Sequence, residues 1–84
     1  MVTKEQAKSI RHGDILYDDQ FSNADGTPHR WRKNGKCHTW KRDPDRFKLP
    51  VKHGLYAHGY VTNENCQHFH LTEEEAIKAR EENK

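Results

Sequence analysis

The dipeptide Asn34-Gly35 lies between two runs of strand-compatible residues in HRWRKNGKCHTWKR, residues 29–42, and it constrains this chain more than any other stretch. Both residues tolerate the positive φ of a two-residue type I′ turn, so the pair predicts a tight β-hairpin. A loop of that length sets the register: Lys33 opposite Lys36, Arg32 opposite Cys37, Trp31 opposite His38, Arg30 opposite Thr39 and His29 opposite Trp40. Alternation then sorts the faces. His29, Trp31, His38 and Trp40 share one; Arg30, Arg32, Cys37, Thr39 and Lys41 share the other.

What the hairpin packs against has to come from little material. Only 31% of the 84 residues are hydrophobic and the mean hydropathy is −1.31. A chain of this size buries only about two-thirds of its unfolded surface, so nearly every large apolar residue is needed inside. The expected core is Ile15, Tyr17, Trp31, Trp40, Phe47, Leu49, Val51, Leu55, Val61, Phe69 and Leu71.

The flanking segments carry their own signals. Thr3 and Gln6 have capping-box spacing and Gly13 supplies a stop, which predicts a helix over residues 3–12. Ile15, Leu16 and Tyr17 form a brief strand ended by Asp18 and Asp19, and residues 18–28 have loop chemistry. A loop this long in so small a domain is commonly functional and is expected to flank a binding surface. Phe47, Leu49 and Val51 alternate with Lys48, Pro50 and Lys52, a half-buried strand in which Pro50 calls for an edge position or a bulge. Leu55, Ala57, Gly59 and Val61 alternate with Tyr56, His58 and Tyr60; residues 62–65 turn; residues 66–71 form a last strand with Phe69 and Leu71 inward. Thr72 and Glu75 repeat the capping box before a helix over residues 72–82 with a thin apolar stripe.

Together these elements predict one domain over residues 1–84: an N-terminal helix within 1–12, a small curled antiparallel sheet over 13–71, and a C-terminal helix and tail over 72–84. The class is mainly β with two short helices, most like an SH3-like barrel of about five short strands, with an OB-type barrel as the competing arrangement. No apolar run reaches the roughly 20 residues of a membrane span and the first residues lack a secretory signal's apolar segment, so a cytoplasmic protein is expected. There Cys37 and Cys66 are two free thiols.

Charge is unevenly placed. Residues 29–53 hold nine Lys or Arg against Asp43 and Asp45, a net of +7, while six basic and eleven acidic residues elsewhere leave −5. That asymmetry fits a polyanionic or acidic partner for the middle of the chain, and fits equally a solvated face compensated by acidic termini.

The run NADGTPHRWRKNGKCHTWKRDPDRFKLPVKHGLYAHGYVTNEN, residues 23–65, resembles a group of small uncharacterised bacteriophage proteins that share an ADGTP-x-R-x-R-x-NGK-x-x-TWKR-x-P block followed by PVK-x-GLY-x-x-GY-x-T. It covers about half of the chain. The matching positions are 24–28, Arg30, Arg32, 34–36, 39–42, Pro44, 50–52, 54–56, Gly59, Tyr60 and Thr62; Trp31 and the His-rich tail lie outside the pattern. The resemblance implies a phage origin, hence the cytoplasm of a bacterial host cell, and no mechanism.

Three constellations remain. Arg and Lys on an extended face neutralise successive phosphates while Trp or Tyr rings stack on bases, so the first expectation is a non-enzymatic accessory protein that binds nucleic acid, DNA or RNA. The residues expected to carry it are Arg30, Trp31, Arg32, Lys33, Lys36, Trp40, Lys41, Arg42, Lys48, Lys52 and Tyr56. If the Trp face turns inward, Arg30 and Arg32 meet phosphates with little base readout. The alternative is a host protein bound by the same surface, since Arg and Trp dominate interface hot spots. A weaker alternative is a metal-binding small domain: on a strand Cys66, His68 and His70 would project to one side, with His53 and His58 as companions, although no Cys-x-x-Cys knuckle is present. No catalytic motif joins Cys37, His38, Asp43 and Asp45, because adjacent residues on a strand point to opposite faces. No cofactor is expected.

Overall fold

In the computed structural model, which describes residues 1–82, Thr3 caps helix α1, Lys4–Ser9, and the capping box is complete: Gln6 N–H donates to Thr3 Oγ1 and Thr3 N–H to Gln6 Oε1. Val2, Ala7 and Ile10 are buried, so the thin apolar stripe of this short helix is fully used. Six strands follow: β1 Ile15–Ser22, β2 Pro28–Lys33, β3 His38–Thr39, β4 Phe47–His53, β5 Ala57–Thr62 and β6 Phe69–His70, with a 3-10 turn over Cys66–His68 and helix α2 over Glu73–Glu82. Residues 83 and 84 of the expected C-terminal segment lie outside the described residues.

The Asn34-Gly35 hairpin does not form. β2 pairs with β1 on one side and β4 on the other, and β3 pairs with β4 alone. Lys33 stands opposite Val51 and His38 opposite Lys48, so β2 and β3 are two pieces of one lane along β4. Between them the four residues 34–37 oppose only Leu49 and Pro50, a bulge of two extra residues. Pro50 explains its place. Its carbonyl accepts from Asn34 N at 2.9 Å, but it has no N–H to return, so the facing strand can leave the ladder here without orphaning a donor on β4. Only Gly35 takes a positive φ, +148°; Asn34 does not, as it would in a type I′ turn.

The sheet runs β5, β4, then β3 and β2 end to end along the same edge of β4, with β1 beside β2 and β6 beside β1, antiparallel throughout. The sheet is unclosed: among the described residues β5 and β6 do not pair with each other, β3 pairs only with β4, and the molecule measures 41 × 29 × 17 Å, so the antiparallel sheet expected is present without the pairing that would close an SH3-like barrel. Pro50 lies on an interior strand, so the bulge and not the edge accommodates it.

The core gathers Val2, Ala7, Ile10, Leu16, Phe47, Leu49, Val51, Val61 and Phe69. On β1 the phase is one residue off the expected one, because Leu16 is fully buried while Ile15 is 37% exposed and Tyr17 half-buried. β1 also runs five residues beyond Tyr17, since Asp18 and Asp19 are buried in it: Asp18 Oδ1 accepts from Gln20 N, and Asp19 receives two histidines. The expected loop over 18–28 thus shrinks to residues 23–27. Leu55 belongs to the β4–β5 turn and is 74% exposed, and Leu71 is also exposed. α2 lies against β1 and β6, burying Ala76.

The β5 edge is closed by a side chain. Asn65 Oδ1 accepts from Thr62 N at 2.7 Å and Asn65 Nδ2 donates to Tyr60 O at 2.8 Å, the pairing a neighbouring strand would make. Asn63 does the same at the start of β4, accepting from Phe47 N and donating to Asp45 O.

Candidate nucleic-acid interface

Alternation across paired strands places Leu16, Trp31, Val51 and Val61 with the core and the intervening residues on the opposite face. That opposite face carries a row running Ile15, Arg32, Lys52 and His58 across β1, β2, β4 and β5. Tyr17 pairs with Arg30, Pro50 with Tyr60, and Lys48 lies between His38 and Thr62. Arg30, Arg32, His38, Lys48 and His58 are exposed, and Tyr60 is 51% exposed. The expected separation of Arg30 and Arg32 from Trp31 is therefore present, although the strand's partners are not those expected.

Two cations on this side of the sheet rest on aromatic rings. Lys48 Nζ is 4.0 Å from the Tyr60 ring centroid, and the Arg46 guanidinium is 4.1 Å from that of Trp40, against which His38 packs edge-on at 4.3 Å. Arg32 and Lys52, directly opposite each other, are like charges in a position that disfavours them. Among the described residues neither has an acidic partner; of the basic residues on the face only Arg30 meets a carboxylate, Glu73 at 3.9 Å.

The other expected residues scatter. Trp31 is half-buried on the core face and edge-on to Phe69, with its Nε1 buried and unbonded. It ends a run of rings through His53, His29 and Phe21; His29 and His53 stack at 4.4 Å, and His53 Nδ1 donates to Arg30 O. Lys33 is structural, its Nζ donating to Ile10 O at 2.6 Å behind α1, so it does not face Lys36 across a turn. Lys36 is exposed in the bulge, Lys41 and Arg42 are exposed in the loop after β3, and Tyr56, 90% exposed, tips the β4–β5 turn. His38, Arg46, His58 and Tyr60 complete the face. The alternation of His58 and Tyr60 with Gly59 and Val61 was the signal for two of them.

The histidine tail is built differently from the strand expected. Cys66 and His68 fall on the 3-10 turn and only Phe69 and His70 pair, so the three do not share a strand: Cys66 Sγ turns to Asn63 O, while His68 and His70 both reach Asp19. His70 is 5% exposed with both nitrogens engaged: Nδ1 accepts from Met1 N at 2.7 Å and Nε2 donates to Asp19 Oδ2 at 2.7 Å. His68 Nδ1 donates to Asp19 Oδ1 at 2.9 Å. Asp19 is therefore a buried carboxylate with one imidazole on each oxygen, and among the described residues no group of three or more His, Cys, Asp or Glu side chains is arranged to hold a metal ion. Cys37 is half-buried, and burial raises its thiol pKa against the pull of Lys33, which disfavours the thiolate.

No family model matches the chain, and no curated protein or solved structure matches it. No helix among the described residues is long and apolar enough to cross a membrane.

Proposed function

We propose that this chain is a non-enzymatic phage accessory protein that binds single-stranded nucleic acid in the host cytoplasm, through the solvent-facing side of its sheet. The observation that carries the reading is the unrelieved opposition of Arg32 and Lys52, continued by Lys48 along β4. A row of phosphates relieves that repulsion, and an open curled sheet leaves room for an extended strand where a closed SH3-like barrel would offer a narrower groove. Lys36, Lys41 and Arg42 extend the positive field beside it.

Fluorescence anisotropy with labelled single strands over a salt series tests this. Three phosphate contacts give a slope of about −2 in log affinity against log salt. Arg32→Gln combined with Lys52→Gln should flatten that slope without lowering the melting temperature. A double variant that binds like the parent, or a parent that binds nothing at low salt, removes the reading.

A host protein as partner is the second reading, and Leu55 and Tyr56 favour it, 74% and 90% exposed at the β4–β5 tip. Host proteins retained on the chain after nuclease treatment, and lost with Tyr56→Ala, would support it; their full loss with nuclease would not.

A further inference from the structure

Beside the basic face, where the chain enters β4, lies a cavity of about 320 Å³. Trp40 forms an aromatic wall, and the lining includes the cations Arg46 and Lys48 together with Asp43, Asp45 and Glu64. Charges of both signs share one small space, yet they do not pair. Arg46 lies on the Trp40 ring and Lys48 on the Tyr60 ring, and among the described residues no hydrogen bond or ion pair engages the three carboxylates. The cavity thus offers the Arg46 guanidinium, laid on the Trp40 ring, as a plane to stack on, ionised groups that only accept, and cations that only donate.

From that juxtaposition we infer that the cavity takes one unpaired base of a bound single strand and that the base is guanine; this rests on the nucleic-acid reading above. A carboxylate accepts two parallel N–H groups at once. Guanine alone presents two such donors side by side, N1–H and N2–H, with the O6 acceptor beyond them for a cation. Adenine and cytosine each set one donor beside an acceptor, and thymine or uracil sets one donor between two acceptors. Arg46 lies on the Trp40 ring as Lys48 lies on the Tyr60 ring, so the base stacks on the guanidinium plane of Arg46, with Trp40 behind it.

The test uses oligothymidylates carrying one central guanine, adenine, cytosine or abasic site, titrated by anisotropy at low salt against the parent and against Asp43→Asn, Asp45→Asn and Glu64→Gln. The guanine strand should bind about tenfold tighter than oligothymidylate, the discrimination one bidentate base contact supplies. At least one carboxylate variant should erase that preference while binding oligothymidylate no more weakly than the parent does. Equal affinity for every strand, the abasic one included, would overturn the guanine assignment and leave the phosphate-binding reading standing. A preference for another base, or a guanine preference that survives all three substitutions, would also overturn it. Failure of every strand to bind would overturn both readings together.

Discussion

Gly35 holds φ +148°, and a Cβ there would stand 3.1 Å from Pro50 Cγ, so a side chain is strained by the backbone and crowds the Pro50 ring. Asn34 contributes only its backbone N–H to Pro50 and has no positive φ. Gly35→Ala should therefore cost about 1–3 kcal/mol, and Asn34→Ala should stay within about 0.5 kcal/mol. In a type I′ hairpin both substitutions would strain the turn, so denaturant melts of the two variants separate bulge from hairpin. The neighbouring lysines differ as sharply. Lys33→Met removes a charged donor from Ile10 O and should cost about 1–2 kcal/mol. Lys36→Met, at an exposed position, should be neutral by the same measurement.

Among the elements, the β1–β2 turn and the β5 edge are both held by short polar side chains. In the turn, the Thr27 hydroxyl and N–H donate to Asp25 Oδ1 and hold its carboxyl below the usual Asp range. A depressed folded-state pKa contributes stability that is present above the unfolded value and lost as pH falls through the folded one. The turn should accordingly hold at neutral pH and loosen only below the ordinary Asp range, followed by the Thr27 amide in an NMR titration; Asp25→Asn should abolish that titration. At the edge, Asn65→Ala leaves Thr62 N–H and Tyr60 C=O without their partners. The expected loss is about 1–3 kcal/mol, with concentration-dependent light scattering as the unpaired edge seeks another strand.

At the scale of the molecule, stability depends on few side chains. A chain of 84 residues at typical values is held by about 4–12 kcal/mol in total. Leu49 is fully buried in the centre of β4 whereas Leu55 is 74% exposed. Leu49→Ala should cost about 2–5 kcal/mol, a large share of that total, and Leu55→Ala should stay within about 0.5 kcal/mol. Thermal unfolding by circular dichroism compares the two directly. The same economy explains why α1, only six residues long, keeps its apolar face buried and the carbonyl of its C-cap Ile10 bound by Lys33.

Features set by neighbours in the chain are readable from residue order. The capping box at Thr3 and Gln6, the Thr72 cap on Glu75 N–H and the inward set Phe47, Leu49 and Val51 depend on spacings of two or three positions. So does the opposite facing of Trp31 and Arg32, which holds whichever strand lies alongside. Long-range partners were not readable. Asn34-Gly35 favours a hairpin locally, but β2 gains two neighbours, β1 and β4, by continuing past Pro50, and an interior lane satisfies more backbone than an isolated hairpin. Ile15, Leu16 and Tyr17 are all apolar and carry no phase; packing against Trp31 selected Leu16. Asp18 and Asp19 read as strand breakers because Asp19's partners, His68 and His70, lie 49 and 51 positions away. Of the basic face, the charges were legible and their grouping was not, since Lys52 reaches Arg32 only through the sheet, by a contact energy that no local pattern records.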